Sequence, residues 1–428
     1  MKKYDEYKDV QMGWLNKIPI HWTTVSLKFS TGNKPLSFVD GDWIESKVIK
    51  SDGIRYLTTG NVGVISYKEQ GNGFISEQTF KELNCTEVFS GDILISRLNF
   101  PIGRACIVPD LGYRIVVAVD NVIFRPDTTK YNRRYLVYQM NCYPYSENAN
   151  VLGRGSTMQR ITRTQLGAFK LCVPPLLEQV AIAIYLDTHC AKIDNLISIQ
   201  QKRIALLQEL KQSVITHAVT KGLNPNVEMK QSGVEWIGDV PKHWEYCRFK
   251  DFMLLQTTAS NSNNKIGLEN IESRSGRFIY TGSEFEGNGI AFSNQDIIYG
   301  KLRPYLQKVW LATFDGNAVG DFFVFRMKSN SCPSFVKYLM LSDGYTKETD
   351  GSTIGAKMPR VSSDFILTMH YCLPPITEQA AIASYLDRKC ATIDTSISNA
   401  QHQIDLLQEY KQSLITEVVT GKRKVTDN

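Results

Sequence analysis

Phosphodiester cleavage would need acidic residues spaced to hold Mg²⁺, and Asp40, Asp42, Glu45 and Lys47 form a loose set of that kind. The same Glu-x-Lys spacing recurs at Glu6, Glu209, Glu228 and Glu409, so it carries no nuclease signal. Amino-group methylation would need an Asn/Asp-Pro-Pro-aromatic motif to hold an extruded adenine. The Pro-Pro pairs here follow Val173 and Leu373 and precede Leu176 and Ile376. A phosphate loop of the form G-x-x-x-x-G-K-[ST] is also missing, because Gly300-Lys301 and Gly421-Lys422 lack both the upstream glycine and the following hydroxyl. His21 and His243 stand at matching positions beside Trp22 and Trp244, where packing is the expected role. The nine cysteines include no Cys-x-x-Cys pair, so reduced, packed thiols are expected rather than a zinc site or disulfides. No catalytic residue, metal site or bound cofactor is expected.

What remains is recognition chemistry. Arginine, lysine and asparagine on glycine-rich turns can donate to phosphates and to base edges. In the first half the candidates are Thr59 and Asn61 in TTGNVG, Asn72 in GNG, Arg97, Asn99 and Arg104 in SRLNFPIGR, and Ser156, Thr157 and Arg160. In the second half they are Asn288 in GNG, Lys301, Arg303, Tyr305 and Lys308 in GKLRPYLQK, and Ser352, Thr353, Lys357 and Arg360. Arg133-Arg134, Arg154 and Arg163 add to the basic clusters. Arg160 and Arg360 recur in both halves, which suits a phosphate-positioning role better than a base-reading one.

These residues must be positioned by a duplicated scaffold. Pro174 to Thr220 and Pro374 to Thr420 align without a gap, with about 29 of 47 positions identical. Each copy opens with a Trp-x-x-x-x-Pro-x-His-Trp segment, Trp14 to Trp22 and Trp236 to Trp244. Between opener and closer the likeness is weaker: GDILISRL pairs with QDIIYGKL, DNVIFRP with DFFVFRM, and GSTMQRIT at Gly155 with GST at Gly351 followed by MPRVS. The closers are glycine-free with apolar residues at helical spacing, and Ile193, Ile197, Ile204, Leu207, Ile393, Ile397, Ile404 and Leu407 form a narrow coiled-coil seam. Pro174-Pro175 and Pro374-Pro375 are natural helix starts, and Gly222 and Gly421 natural stops.

The variable segments read as short β-runs (DILIS, ACIVP, RIVVAV, NVIF, DIIYG, FFVFR) with helix candidates at Asn132 to Met140 and Ser334 to Leu341. The expected fold is α/β (α+β): two globular domains joined by two long antiparallel coiled-coil helices, in a pseudo-twofold internal repeat. The segments run 1–173, 174–222, 223–373 and 374–421, with a tail at 422–428.

Charge follows the same division. The chain carries 49 Lys+Arg against 43 Asp+Glu, a net +6. The closers hold about +1 and −3, leaving about +8 on the variable segments, where a polyanion would be read. No run of about 18 apolar residues occurs and the start is charged, so a cytoplasmic protein without membrane spans is expected.

The Pro-Pro-x-x-Glu-Gln closers with their Tyr-Leu-Asp and Ile-Asp continuations, the paired openers, and the linker Gly222 to Pro241 together resemble the specificity subunits of Type I restriction-modification systems. The resemblance spans essentially the whole chain. It implies a non-catalytic subunit whose two target-recognition domains each read half of a bipartite, asymmetric site on double-stranded DNA, at the nucleoid. The coiled coil would set the gap between half-sites and dock two modification (methyltransferase) subunits, with restriction (translocase/nuclease) subunits joining. S-adenosylmethionine, ATP and Mg²⁺ would belong to those partners. Gln179 and Gln379 are candidates for the subunit interface, and Glu178 and Glu378 are expected to cap the long helices. A coiled-coil scaffold that binds proteins rather than DNA is the alternative.

Overall fold

A computed structural model describes residues 2–425 apart from Asn33, Ser156, Thr157, Ser262, Asn263 and Ala356. The candidates Ser156 and Thr157 thus lie outside the described residues. The chain forms two compact units, 1–199 with 403–428, and 200–402. Neither unit is one continuous variable segment, because each takes in part of both closers.

The closers are two long helices, Leu176–Lys221 and Ile376–Val419. The Pro-Pro pairs precede them, and Gly222 and Gly421 end them at φ 73° and 74°, the left-handed stop that glycine adopts without strain. Within the first unit the two helical stretches are antiparallel: Lys411 reaches Asp194 at 2.6 Å, while further along Gly421 lies against Trp22, which bonds Glu178. The second unit repeats this with Lys211 on Asp394 at 2.8 Å and Gly222 against Glu378. Of the seam residues, Ile193, Ile393 and Ile404 are buried, while Ile197, Ile204, Leu207, Ile397 and Leu407 are half-buried.

Each opener is a two-stranded hairpin, Tyr7–Asp9 with Lys17–Pro19 and Met229–Gln231 with Asp239–Pro241. Each is followed by a strand that pairs with the last strand before the long helix, Thr23–Ser26 with Lys170–Val173 and Glu245–Arg248 with His370–Leu373. The variable region is therefore closed at its base by its own two ends. Trp22 and Trp244, both fully buried, each donate Nε1–H to the Glu of the adjacent closer at 3.2 Å. His21 and His243 meet the same carboxylates at 2.9 and 2.7 Å. The expectation that Glu178 and Glu378 cap helices is corrected: their oxygens receive opener side chains.

Above this base, each unit holds a four-stranded antiparallel sheet. Its order in the first unit is Phe38–Asp40, Asn121–Phe124, Ile93–Ser96, Ala105–Ile107, and in the second Met253–Gln256, Phe322–Met327, Ile297–Gly300, Val309–Leu311. A second sheet lies beside each, three-stranded in the first unit and four-stranded in the second. The helices Arg133–Met140 and Pro333–Met340 pack on the sheets through Tyr135, Leu136, Phe335 and Leu339, all fully buried.

All nine cysteines are free thiols, seven of them buried. Burial pushes Cys85 up to about 11 and Cys106 and Cys142 up to about 12, so their thiolate fraction at pH 8 falls below that of an ordinary cysteine. Alkylation of the native chain at pH 8 is expected to spare the seven buried thiols, and all nine should react after denaturation; intact-mass spectrometry reads both. Fast native labelling of Cys106 or Cys142 would contradict the packing.

Candidate nucleic-acid interface

Antiparallel register brings the basic loops to one end of each sheet. In the first unit Ser96 pairs with Asn121, Ile95 with Ala105 and Asp40 with Val122, so the strands holding Asp40 and Ser96 end where the other two begin. That end displays loop 97–104, Asp120, and Arg160, which bridges to Leu98 and Arg154. The second unit places loop 301–308, Asp321 and Arg360 in the same way, with Arg360 bridging Leu302 and Ile354.

The candidates at this end divide into internal struts and free side chains. Arg97 is only 7% exposed: Nη2 donates to Val119 O at 2.7 Å, Nη1 to Ile161 O at 3.2 Å, and Nε lies 3.1 Å from the Asp40 carboxylate. Arg104 spends its guanidinium on the carbonyls of Val62, Thr59, Leu98, Asn99 and Pro101. Lys308 does the equivalent work, with Nζ on Leu268 O and Ile271 O at 2.7 Å each. Burial lowers the pKa of both cations, which suits groups turned into the protein. Asn61 is buried as well. Its Oδ1 accepts from Thr58 N–H and its Nδ2 donates to Lys68 O and Gln70 O, closing a turn that Asn270 closes in the second unit. Expectations of direct DNA contact by Asn61, Arg97, Arg104 and Lys308 are thus corrected: their polar atoms are committed to the fold.

Arg160 and Arg360 are exposed and lean on matching carboxylates, Arg160 on Asp120 at 3.1 Å and Arg360 on Asp321 at 3.0 and 2.9 Å. Hydrogen bonding from Arg360 holds Asp321 below the usual carboxylate range. Lys301 sits 3.8 Å from Asp321 and over the Phe323 ring. Arg303, Lys357 and Arg154 are exposed, and among the described residues no hydrogen bond or ion pair engages their side chains; Asn99 is in the same condition. Thr59 is half-buried in the turn held by Arg104, Tyr305 is exposed on loop 301–308, and Asn72 is exposed beyond the Asn61 turn. Asn288 is exposed before strand Gly289–Phe292 of the second sheet, where Gly289 lies against Ala318 and Val319.

Ser352 and Thr353 are half-buried. Their hydroxyls bond back to Thr349 O and Asp350 O at the end of helix Asp343–Gly351. The paired bridges Arg154–Arg160 and Ile354–Arg360 align Gly155 with Gly355, not with Gly351, so the two Gly-Ser-Thr strings are not equivalent.

Gln179 and Gln379 are fully buried. Each accepts a backbone N–H (Asn132, Cys332; 2.8 Å) and donates to two carbonyls, Lys130 and Pro174 or Asn330 and Pro374. A subunit-interface role for them is corrected; they lock the helix start to the globular part. The Asp40–Lys47 set does not converge either. Asp40 faces Arg97 and Arg163, Asp42 accepts from Thr86 N–H, and Lys47 pairs with Glu45. Among the described residues no group of three or more His, Cys, Asp or Glu side chains could hold a metal ion, and no helix is long and apolar enough to cross a membrane.

Sequence reasoning missed Asp120, Asp321 and Asn270, the anchors of the loop ends. The aspartates stood at the head of DNVIFRP and DFFVFRM, where an acid repeated beside basic loops was the available signal.

The chain is similar to known proteins. Residues 41–209 match the Type I restriction modification DNA specificity domain. Over 435 residues the chain is 22% identical to the specificity subunit of the Type I restriction enzyme EcoDI of Escherichia coli, covering 95% of this chain and 89% of that one. It is 25% identical over 389 residues to the putative MjaX specificity subunit of Methanocaldococcus jannaschii, covering 82% and 83%. In fold it is similar to a chain of a type I R-M system studied for complex assembly and conformational transition, with TM-score 0.70, 12% identity and coverage of 95% and 99%. The HsdS subunit of Thermoanaerobacter tengcongensis follows at TM-score 0.52, 12% identity and coverage of 95% and 98%.

Proposed function

We infer the function from the premise that the chain belongs to the Type I restriction-modification DNA specificity family: it is a non-catalytic DNA sequence-recognition subunit. Each unit reads one half of a bipartite, asymmetric site through its sheet end, and the long helices set the gap between the halves. Two methyltransferase subunits dock on the helical region, and restriction subunits join them. S-adenosylmethionine, ATP and Mg²⁺ are carried by those partners.

The observation that carries this reading is the repetition of one sheet-end scaffold in both units. The anchoring contacts are kept, Arg160–Asp120 and Arg360–Asp321, while the free side chains differ, Arg154 and Asn99 against Lys357 and Arg303. A frame that is held constant under variable display is what reading two different sequences requires.

The test is single-molecule sequencing of methylated bases in cells carrying the chain with its modification subunits, beside a strain lacking only the chain. N6-methyladenine is expected at a two-part motif with a fixed gap, and only when the chain is present. Affinity of the assembled complex for DNA should fall steeply with salt, and Arg154→Ala or Lys357→Ala should each reduce the magnitude of the log–log slope by about 1, the loss of one phosphate contact. A flat salt dependence would favour a scaffold that binds proteins.

A further inference from the structure

Loops 97–104 (RLNFPIGR) and 301–308 (KLRPYLQK) have the same length and the same backbone anchorage. Arg97 N–H donates to Asp120 O, and Lys301 N–H to Asp321 O, at 2.8 and 2.9 Å. Ile161 N–H donates to Arg97 O, and Val361 N–H to Lys301 O. Asn99 N–H donates to Gln159 O, and Arg303 N–H to Pro359 O. The backbone turns left-handed at the same two places in each loop, Asn99 (φ 59°) with Arg303 (φ 52°) and Gly103 (φ 81°) with Gln307 (φ 49°).

Asparagine and glycine adopt that conformation readily, whereas arginine and glutamine do so rarely. The second unit thus keeps the loop shape with residues that do not favour it. For Gln307 the structure supplies a reason, since its Nε2 donates to Thr346 Oγ1 and its Oε1 accepts from Gln212. Arg303 has no such internal partner among the described residues, and neither does the Asn99 side chain. Both project from a position where the main chain is itself bonded to the neighbouring segment.

We propose that Asn99 and Arg303 are equivalent base-reading residues, and that they make the two half-sites differ: Asn99 reads an adenine in one half and Arg303 a guanine in the other. The proposal rests on the DNA-recognition reading above. Its chemistry is that of the major groove, where an asparagine amide pairs bidentately with adenine N6 and N7, and a guanidinium with guanine O6 and N7. A pinned backbone fixes the point from which each group is presented, an acceptor and a donor on the amide and two donors on the guanidinium, and such paired contacts read base edges where a phosphate contact only positions.

The experiment uses the full chain in complex with its modification subunits, with three variants, Asn99→Arg, Asn99→Ala and Arg303→Asn. Asn99→Arg should fold, because the equivalent position already carries arginine at the same φ. The methylated motif is read by single-molecule sequencing, and binding is measured on duplexes varied one base pair at a time. Asn99→Arg is expected to change one A·T pair of one half-site to G·C, leaving the other half and the gap as they were. Arg303→Asn should make the reverse change in the other half. Asn99→Ala should reduce discrimination at that single pair about tenfold or more. The proposal is overturned if the variant complexes methylate the wild-type motif, or if they lose affinity equally for every sequence. If the wild-type chain itself directs no two-part methylation, the DNA-recognition reading fails, which is a different result.

Discussion

Arg97→Ala is expected to destabilise the first unit by about 3 kcal/mol, the lower end for breaking a buried ion pair. The guanidinium is enclosed, and its removal orphans Val119 O and Ile161 O and takes a cation from Asp40. The cost stays at the lower end because Asp40 is 30% exposed and keeps Arg163 at 3.6 Å, and Asp120 keeps Arg160 at 3.1 Å. For a unit of this size the change corresponds to a Tm about 6–12 °C lower, read by calorimetry or chemical unfolding. Arg154→Ala should leave stability within about 0.5 kcal/mol while flattening the salt dependence of DNA binding. If Arg97→Ala kept full stability and only weakened DNA binding, Arg97 would be a DNA contact and its assignment as a strut would be wrong.

That contrast shows where the sequence was legible and where it was not. The long helices could be read because apolar spacing, Pro-Pro starts and glycine stops all agree, and the strand runs because β-branched residues cluster between turn residues. Residues 97–104 and 301–308 could also be read as turns after β-runs, and the structure gives them matching backbone bonds at the sheet end. What could not be read was the direction of each side chain. Arg97, Arg104 and Arg303 are the same letter or nearly neighbours in loops of one length, yet two are consumed by carbonyls and carboxylates and one is free. Whether a loop arginine faces in depends on which carbonyls the fold brings to it across 42 to 64 positions of chain, as Val62 and Thr59 are brought to Arg104 and Ile161 to Arg97. Asn61 misled for a related reason, since its amide closes a 3-10 turn whose existence no periodicity announces. The Gly-Ser-Thr match failed because identical letters were aligned across a gap, where the ungapped offset of the closers gives the structural equivalence of Gly155 and Gly355.

The second large effect is expected at the openers. Trp22→Ala and Trp244→Ala should each cost their own unit about 4 kcal/mol, the range for truncating a fully buried aromatic to alanine. Trp22→Phe and Trp244→Phe, which keep most of the apolar surface and lose the N–H bond to Glu178 or Glu378, should cost about 1–2 kcal/mol. In the first unit Trp22 lies against Gly421 at the end of one long helix and bonds Glu178 in the first turn of the other, and the Glu178 carboxylate also takes the Tyr4 hydroxyl and His21. A Cβ added at Gly421 would come within 2.4 Å of Pro19, so the hairpin, the helix end and the helix start are packed without slack. The second unit repeats the arrangement with Trp244, Glu378 and Gly222. Because the antiparallel register of the helices is held at these ends, the alanine variants should lose methylation together with stability, and the phenylalanine variants should keep the motif unchanged. Equal stability of Trp22→Ala and the wild type by chemical unfolding would mean that the opener does not hold the helix ends, and that Lys411–Asp194 and Lys211–Asp394 set the register alone.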